Sequence, residues 1–282
     1  MPALPRSETD TNRMKNASLV SVGNEILSGL TVDTNAAYLS RELLALDIPV
    51  VSSYTVPDEV QAVSRAIRRA VSDADVVLIT GGLGPTDDDL TREALASFLG
   101  VELEFRQELL EQIEAFFAKR RRPMTEKNRV QAHIPAGTEA VPNPIGTAPG
   151  VLAEVEGGFI AALPGVPVEM KQMFGESIAP RLKRADGGQV VLVHKLRCFG
   201  TGESNVAQML GDLMQRGRNP LINCTVSGGM ITLHIVATAS ERALAEKMIG
   251  RDAGLLREIL GDLVFGDDEQ TLAGVVGEKL AR

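Results

Sequence analysis

The sequence predicts an α/β protein built on a mostly parallel sheet, followed by a second, smaller α/β unit. Three observations lead there. Short β-rich runs alternate with helical patterns through the first half of the chain, the signature of strands joined by crossover helices. Small and polar residues from Ala185 to Gln189 (ADGGQ) then read as a linker. Beyond it the order becomes strand, helix, strand, strand, helix, with Gly228 and Gly229 between two β-rich runs as a hairpin turn.

The elements follow in order. SLVSVG (Ser18 to Gly23) is the first strand, TNAAYLSRELLAL (Thr34 to Leu46) an amphipathic helix, and IPVVSSYTV (Ile48 to Val56) the second strand. EVQAVSRAIRRAV (Glu59 to Val71) is the second helix and ADVVLIT (Ala74 to Thr80) the third strand. Ligands of such sheets sit beyond the carboxyl ends of the strands, which puts the loops after Val22, Tyr54 and Thr80 at one edge. A helical pattern runs from Arg92 to Arg122 and ends in KRRRP (Lys119 to Pro123), read as a solvated, dipole-favoured helix end. The Pro- and Gly-rich stretch from Pro135 to Pro167 reads as antiparallel hairpins, and Val168 to Ala185 as a closing helix. The expected organisation is a flexible tail over 1–16, a first domain over 17–184, a second over 190–266, and over 267–282 the start of a following helix or truncated domain.

Composition removes several classes of function. The chain has 282 residues, 44% hydrophobic and 23% charged, with a net charge of −8, so no global cationic field gathers nucleic acid or an anionic membrane. Cys198 and Cys224 are too few for a disulfide framework. His133, His194 and His234 lie in separate segments and do not suggest a histidine metal cluster. The start, MPALPRSETDTNRMKN, lacks the apolar run of a signal peptide, and no stretch approaches the roughly 18 apolar residues of a membrane span. A soluble cytoplasmic protein is the expectation.

The chemistry concentrates in TGGLGPTDDDLTREA (Thr80 to Ala94). A turn with so little side chain exposes backbone N–H groups to a phosphate, yet it lacks the lysine of a P-loop and the third glycine of a dinucleotide fingerprint. Three aspartates follow. If Thr86 capped a helix, each acid in the first turn would gain roughly 0.3–1 kcal/mol; two carboxylates about 4 Å apart repel by up to about 4 kcal/mol in a surface-like dielectric. A divalent cation bridging Asp87, Asp88 and Asp89 to phosphate resolves that conflict. Glu25 in GNEILSGLTVDTN (Gly23 to Asn35) is a metal ligand or general base, or else part of a turn capped by Asp33 or Thr34. Asp58 in TVPDEV (Thr55 to Val60) stands on the neighbouring loop as a ligand or an N-cap. NPIGTAPG (Asn143 to Gly150) and LPGVPVEM (Leu163 to Met170) are small-residue turns that let a ligand approach backbone.

GNEILSG with DTN, TGGLGPTDDDLTREA, KNRVQAHIP, NPIGTAPG and LPGVPVEM together resemble the N-terminal region of the competence/damage-inducible protein A (CinA) family. The core of that family is similar to the molybdopterin-binding domain of molybdenum cofactor biosynthesis proteins. The match runs from Ser18 to Pro180 and continues weakly through FGTGESNVAQML. It implies a three-layer α/β/α domain, a following small KH-like domain and a homodimer. It further implies a metal-dependent pyrophosphatase that splits ADP-ribose, or a related nucleotide substrate, into AMP and ribose 5-phosphate, with Mg²⁺, Mn²⁺ or Co²⁺ and K⁺ as a further candidate ion. By that resemblance the TGGLGPTDDD loop takes phosphate and metal, with Asp89 and Asp58 at the acidic positions of the wider family. Together with the reading of the residues, the candidate metal ligands are Asp58, Asp87, Asp88 and Asp89, and the candidate catalytic groups Asp58, Asp88, Asp89 and Glu25. Gly81, Gly82, Leu83, Gly84, Pro85 and Thr86 take the phosphate. Asn24, Asn35, Asn128, Gly146, Thr147, Ala148, Gly150, Pro164 and Gly165 line the nucleotide pocket. The family usually reads GDE where this chain has Gly23, Asn24 and Glu25, which removes one negative charge. Many members continue into an amidase domain, so a separate amidase domain or chain is an expected partner.

Two alternatives share the core: a molybdopterin-binding enzyme of molybdenum cofactor biosynthesis, and a non-catalytic nucleotide-binding module. The KH-like shape suggests RNA, but GTGE (Gly200 to Glu203) is not the GXXG clamp of such modules. With the acidic net charge, this argues against nucleic acid.

Overall fold

The computed structural model describes residues 14, 16–182 and 188–281, and these fall into two compact units. Most of the expected tail, most of the ADGGQ linker and the end of the helix expected to reach Ala185 lie outside the described residues.

The first unit runs β1 (Ala17–Val22), α1 (Asn24–Leu27), α2 (Thr34–Ala45), β2 (Val50–Val56), α3 (Val60–Asp73), β3 (Val76–Thr80) and α4 (Thr91–Leu99). It continues with β4 (Leu103–Phe105), α5 (Gln107–Lys119), β5 (His133–Pro135), β6 (Glu139–Val141), β7 (Gly150–Val155), β8 (Gly158–Leu163), α6 (Pro167–Met173) and α7 (Ala179–Leu182). Six strands form one sheet in the order β2-β1-β3-β8-β7-β6. β2, β1, β3 and β8 are mutually parallel, while β7 and β6 return antiparallel.

Burial explains that order. Every residue of β1 and β3 is buried, as a strand covered by helices on both faces must be. β2 alternates between part-buried and exposed positions and accordingly sits at the edge. Side chains alternate across a strand, so each central strand feeds two layers. Val20, Val22, Val77, Ile79, Ile160 and Ala162 pack with α3 through Val63, Ala66, Ile67 and Ala70, at helical spacing. Val63 and Ile67 are fully buried, and each such side chain stabilises the docked helix by about 1.5–3 kcal/mol. On the opposite face Leu19, Leu78 and Ala161 are buried, as are Leu39 and Leu43 of α2 and Met170 and Met173 of α6. Tyr38 meets Phe174 edge-on with ring centroids 6.5 Å apart.

The single helical pattern expected from Arg92 to Arg122 is two helices separated by β4. Gly100, with φ 71°, ends α4 in the left-handed conformation, which glycine adopts without a Cβ penalty. The Pro- and Gly-rich stretch does contain antiparallel pairs, β6 with β7 and β7 with β8. β8 also pairs parallel with β3, which brings its carboxyl end, Leu163, to the same edge as Val22, Val56 and Thr80.

The second unit runs β9 (Val190–Phe199), α8 (Glu203–Leu210), β10 (Leu221–Ser227), β11 (Met230–Ala239), α9 (Arg242–Leu260), β12 (Val264–Asp267) and α10 (Leu272–Leu280). Its sheet, ordered β10-β11-β9-β12, is antiparallel at every pairing. Leu196, Ile231, Leu233 and Ile235 pack on Val206, Leu210, Ala253, Leu256 and Leu260 of the two helices. Buried among the charges is Asp252, fully inaccessible, with Arg218 at 2.7 Å and Arg251 at 2.9 Å. The sequence reading did not include β12, whose four residues are too short for a periodic signal.

Candidate functional site

The turn after β3 is built by two glycines and held by the helix that follows it. Gly81 and Gly82 have φ of 100° and 68°, a region costly for any residue with a Cβ. A Cβ on Gly81 would also strike the Val22 carbonyl oxygen, and one on Gly82 the Thr91 hydroxyl. α4 begins at Thr91, five residues beyond Thr86. The aspartates therefore do not lie in a helix first turn capped by Thr86, and the dipole account of them falls.

The backbone carbonyls of this turn can be accounted for one by one. Gly81 O accepts from the Thr91 hydroxyl at 2.8 Å and Gly82 O from the Thr91 N–H at 3.0 Å. Leu83 O accepts from Arg92 Nη1 at 2.5 Å and Gly84 O from Arg92 Nη2 at 3.0 Å. In a trans peptide the C=O and the following N–H point in opposite directions. With the carbonyls of Gly81, Gly82 and Leu83 turned toward the start of α4, the N–H groups of Gly82, Leu83 and Gly84 face away from it. Successive N–H groups displayed this way form a concave anion seat.

That seat borders a cavity of about 480 Å³ beyond the ends of the parallel strands. Four loops line it. The loop after β1 contributes Glu25 and Asn35, and the loop after β2 contributes Asp58. Gly81, Gly82, Leu83, Gly84, Pro85 and Thr86 come from the loop after β3, with Asp88 and Asp89. Pro164 and Gly165 follow β8, and Thr147 and Ala148 precede β7.

Five expected residues are placed elsewhere. Asn24 does not line the cavity; its N–H donates to Asp58 Oδ2 at 2.9 Å, tying the first two loops together. Asp87 points outward, 94% exposed, and pairs with Lys127 at 3.3 Å. Asn128 is buried in its own turn, where Oδ1 accepts from the Thr125 N–H and hydroxyl. Its Nδ2 donates to Gln131 Oε1 at 3.2 Å, and it is Gln131 that reaches the cavity wall. Gly146 lies under Glu169 and Asn143, and Gly150 packs against the Ala162 carbonyl inside the sheet.

Sequence reasoning missed Asp33, Gln131 and Glu169 as lining residues, and Arg92 as the clamp on the turn. Arg92 left a signal: it is the second residue of α4, where the helix dipole disfavours a cation. Glu169 follows a proline that opens α6, and its carboxylate accepts from Asn143 Nδ2 at 2.7 Å.

The aspartates that do reach the cavity are individually engaged. Thr86 donates its N–H to Asp89 Oδ2 at 2.8 Å, and its hydroxyl lies between the carboxylates of Asp88 and Asp89. That hydroxyl holds the Asp88 carboxyl below the usual carboxylate range. Among the described residues no group of three or more His, Cys, Asp and Glu side chains is placed to hold a metal ion. The buried Asn35 donates to the Gly165 carbonyl at 2.7 Å while its Oδ1 has no partner, an unmet acceptor on the cavity wall. Among the described residues no helix is long and apolar enough to cross a membrane.

Comparison with known proteins assigns the family. A model described as a probable molybdopterin binding domain matches residues 18–184, and one described as the damage-inducible protein CinA KH domain matches residues 194–266. The chain belongs to the CinA family. A CinA-like protein of Thermomicrobium roseum is 41% identical over 266 residues, covering 94% of this chain and 65% of that protein. A putative competence-damage inducible protein of Lysinibacillus sphaericus is 39% identical over 267 residues, covering 94% and 64%. The chain thus spans just under two thirds of the length of these CinA relatives. The crystal structure of CinA from Thermoplasma acidophilum, a protein of unknown function, is 37% identical with a TM-score of 0.56, covering 60% of this chain and 98% of that one.

These findings correct the expectation of ADP-ribose hydrolysis. The family model over the cavity-bearing unit describes molybdopterin binding, and the relatives' names carry no hydrolase. The geometry gives the physical reason. The acidic run that suggested a metal-bridged pyrophosphate is divided, with Asp87 turned to Lys127 and Asp88 and Asp89 folded onto Thr86.

Proposed function

We propose that the first unit binds a phosphorylated pterin of the molybdopterin class. Its phosphate rests on the N–H groups of Gly82, Leu83 and Gly84, and its heterocycle occupies the remainder of the cavity. The observation that carries this reading is the carbonyl arrangement of the GGLG turn, which leaves three adjacent donors beside a cavity of about 480 Å³. It occurs in a unit matched over residues 18–184 by a molybdopterin-binding model.

The acids, so hard to reconcile with phosphate alone, suit the other half of such a ligand. A pterin presents a ring N–H beside an amino group, a donor pair complementary to a carboxylate or amide oxygen. Asp33, Asp58 and Glu169 line the cavity, and Asn35 Oδ1 is a buried acceptor without a partner, a state that costs about 1–3 kcal/mol until a donor arrives. No metal enters this account.

Equilibrium dialysis of the full chain against molybdopterin released anaerobically from a molybdoenzyme tests it, with the oxidised pterin read by fluorescence. Retention with Kd on the order of 1–10 μM, equivalent to roughly −7 to −8 kcal/mol, and loss of retention in Gly82→Val are expected. No retention at tenfold higher concentration, or equal retention by the variant, overturns the reading. Tight binding of AMP with exclusion of the pterin would instead make the unit a nucleotide-binding module.

A further inference from the structure

We infer that Arg92 is the cation of the anion seat, acting through the turn rather than by touching the ligand. This rests on the reading that phosphate lies on the GGLG turn, and it answers why that turn has no P-loop lysine.

Arg92 is 2% exposed and is among the largest fully buried side chains of the protein. Both of its terminal nitrogens are spent on the Leu83 and Gly84 carbonyls. Its Nε has no partner, and no ion pair to it occurs among the described residues. A buried guanidinium with no carboxylate in direct contact is costly to fold around; the fields of Glu93 and Asp89 offset only part of its burial, and the start of a helix is the wrong end for it. A loop clamp alone does not require that cost, because Thr91 holds the two preceding carbonyls with neutral groups. What neutral groups do not supply is charge. The guanidinium stands behind peptide units whose N–H ends form the seat, so its field and theirs have the same sign toward the cavity, in surroundings where screening by water and salt is reduced. A phosphate on the seat then adds a counter-charge on the cavity side to those of Glu93 and Asp89. Arg92 is a positioning and electrostatic residue, and the property it confers is preference for a doubly charged phosphate monoester over a singly charged diester.

The test uses the full chain, labelled with ¹⁵N, and two probes at pH 8: methyl phosphate, a dianion, and dimethyl phosphate, a monoanion. Binding is read from the amide shifts of Gly82, Leu83 and Gly84. The unaltered protein is expected to prefer methyl phosphate at least tenfold. Arg92→Met is expected to reduce that preference to within about twofold, and Arg92→Lys to retain most of it. Thr91→Val removes a neutral clamp, so it is expected to weaken both probes by the same factor and leave the ratio intact. An Arg92→Met protein that keeps the full preference, or a Thr91→Val protein that loses it equally, overturns the inference.

Should Arg92→Met fail to fold, the Nε–H signal of Arg92 in the unaltered protein decides. It is expected to shift and saturate in step with the turn amides as methyl phosphate is added, and an unmoved signal overturns the role. Failure here is distinguishable from failure of the proposed function. Retention of molybdopterin with no preference between the two phosphates removes only Arg92's role, whereas a clear preference without retention of molybdopterin removes only the pterin.

Discussion

Each unit of this protein contains a strand that runs through a glycine turn into a helix, yet one turn makes a seat and the other does not. In the first unit TGGLG leads from β3 toward α4; in the second FGTGE leads from β9 into α8. Both open with a glycine at positive φ, Gly81 at 100° and Gly200 at 97°. The neighbours differ. β1, β2, β3 and β8 are parallel and deliver their loops to one edge, so the GGLG turn meets three others around a cavity. The antiparallel second sheet sends successive loops to opposite ends, and the turn after β9 lies beside the Ser227–Met230 hairpin, where Phe199 is paired with Met230. Convergence of loops, not the presence of glycine, makes the site.

The buried charges differ in the same way. In the second unit Asp252 has two arginines in direct contact, whereas Arg92 in the first hydrogen-bonds only carbonyls and meets Glu93 and Asp89 through the field alone. Asp252 and the largely buried Arg218 form the buried part of this network, and removing one member leaves the other uncompensated, so Asp252→Ala is expected to cost the second unit about 3–5 kcal/mol in chemical denaturation. A loss under 1 kcal/mol would mean that Arg218 reaches solvent as readily as Arg251, 61% exposed, already does, and would erase the contrast with Arg92.

The glycines give the next largest effect. Gly82→Ala combines positive φ with a collision against the Thr91 hydroxyl, and is expected to destabilise by about 2–4 kcal/mol and to abolish pterin retention. Gly200→Ala meets nothing closer than Leu263 at 3.7 Å, so only backbone strain remains, about 1–2 kcal/mol. Equal denaturation midpoints for the two variants would break the comparison.

A smaller effect distinguishes the cysteines of the second unit. Burial pushes the Cys198 thiol up to about 11, while Cys224 is raised less and is only partly buried. A raised folded-state value means that the stability contributed by the neutral thiol is complete below the unfolded value near 9 and is lost as pH rises through about 11. Urea midpoints are expected to fall over that window, and Cys198→Ala to flatten the fall. Iodoacetamide at pH 8 is expected to alkylate Cys224 first; the reverse order would show that β9 opens more readily than β10. Smallest of all, Asp87→Asn is expected to leave Tm and pterin retention unchanged, because its pair with Lys127 is exposed at both ends.

Much of the fold is readable from composition along the chain. Nearly continuous apolar runs such as VVLIT belong to strands covered on both faces, and the i, i+3, i+4 spacing of Val63, Ala66, Ile67 and Ala70 marks the buried side of α3. The break between α4 and α5 was less legible, since Gly100 within a helical period is a tolerable interruption until a strand pairs beside it. β4 has that partner in β5, roughly thirty residues away. In the site, the lining role of Gly81 to Thr86 follows from sequence position at a strand end. The outward turn of Asp87 depends on Lys127, forty residues away, which no local pattern reveals. The absorption of Asn128 rests on a capping box with Thr125 three residues before it, a local signal that the sequence reading passed over.

By itself the sequence determined that the chain alternates strands with crossover helices, that a glycine turn closes the third strand, and that acids crowd behind it. Local propensity and hydrophobic period act over a few residues, and these features need no more than that. Only the tertiary structure decided which acids face the cavity, and that a buried arginine stands behind the turn. Those outcomes depend on where distant loops meet and on which polar groups lose water when they do, and both are fixed only when the sheet is assembled.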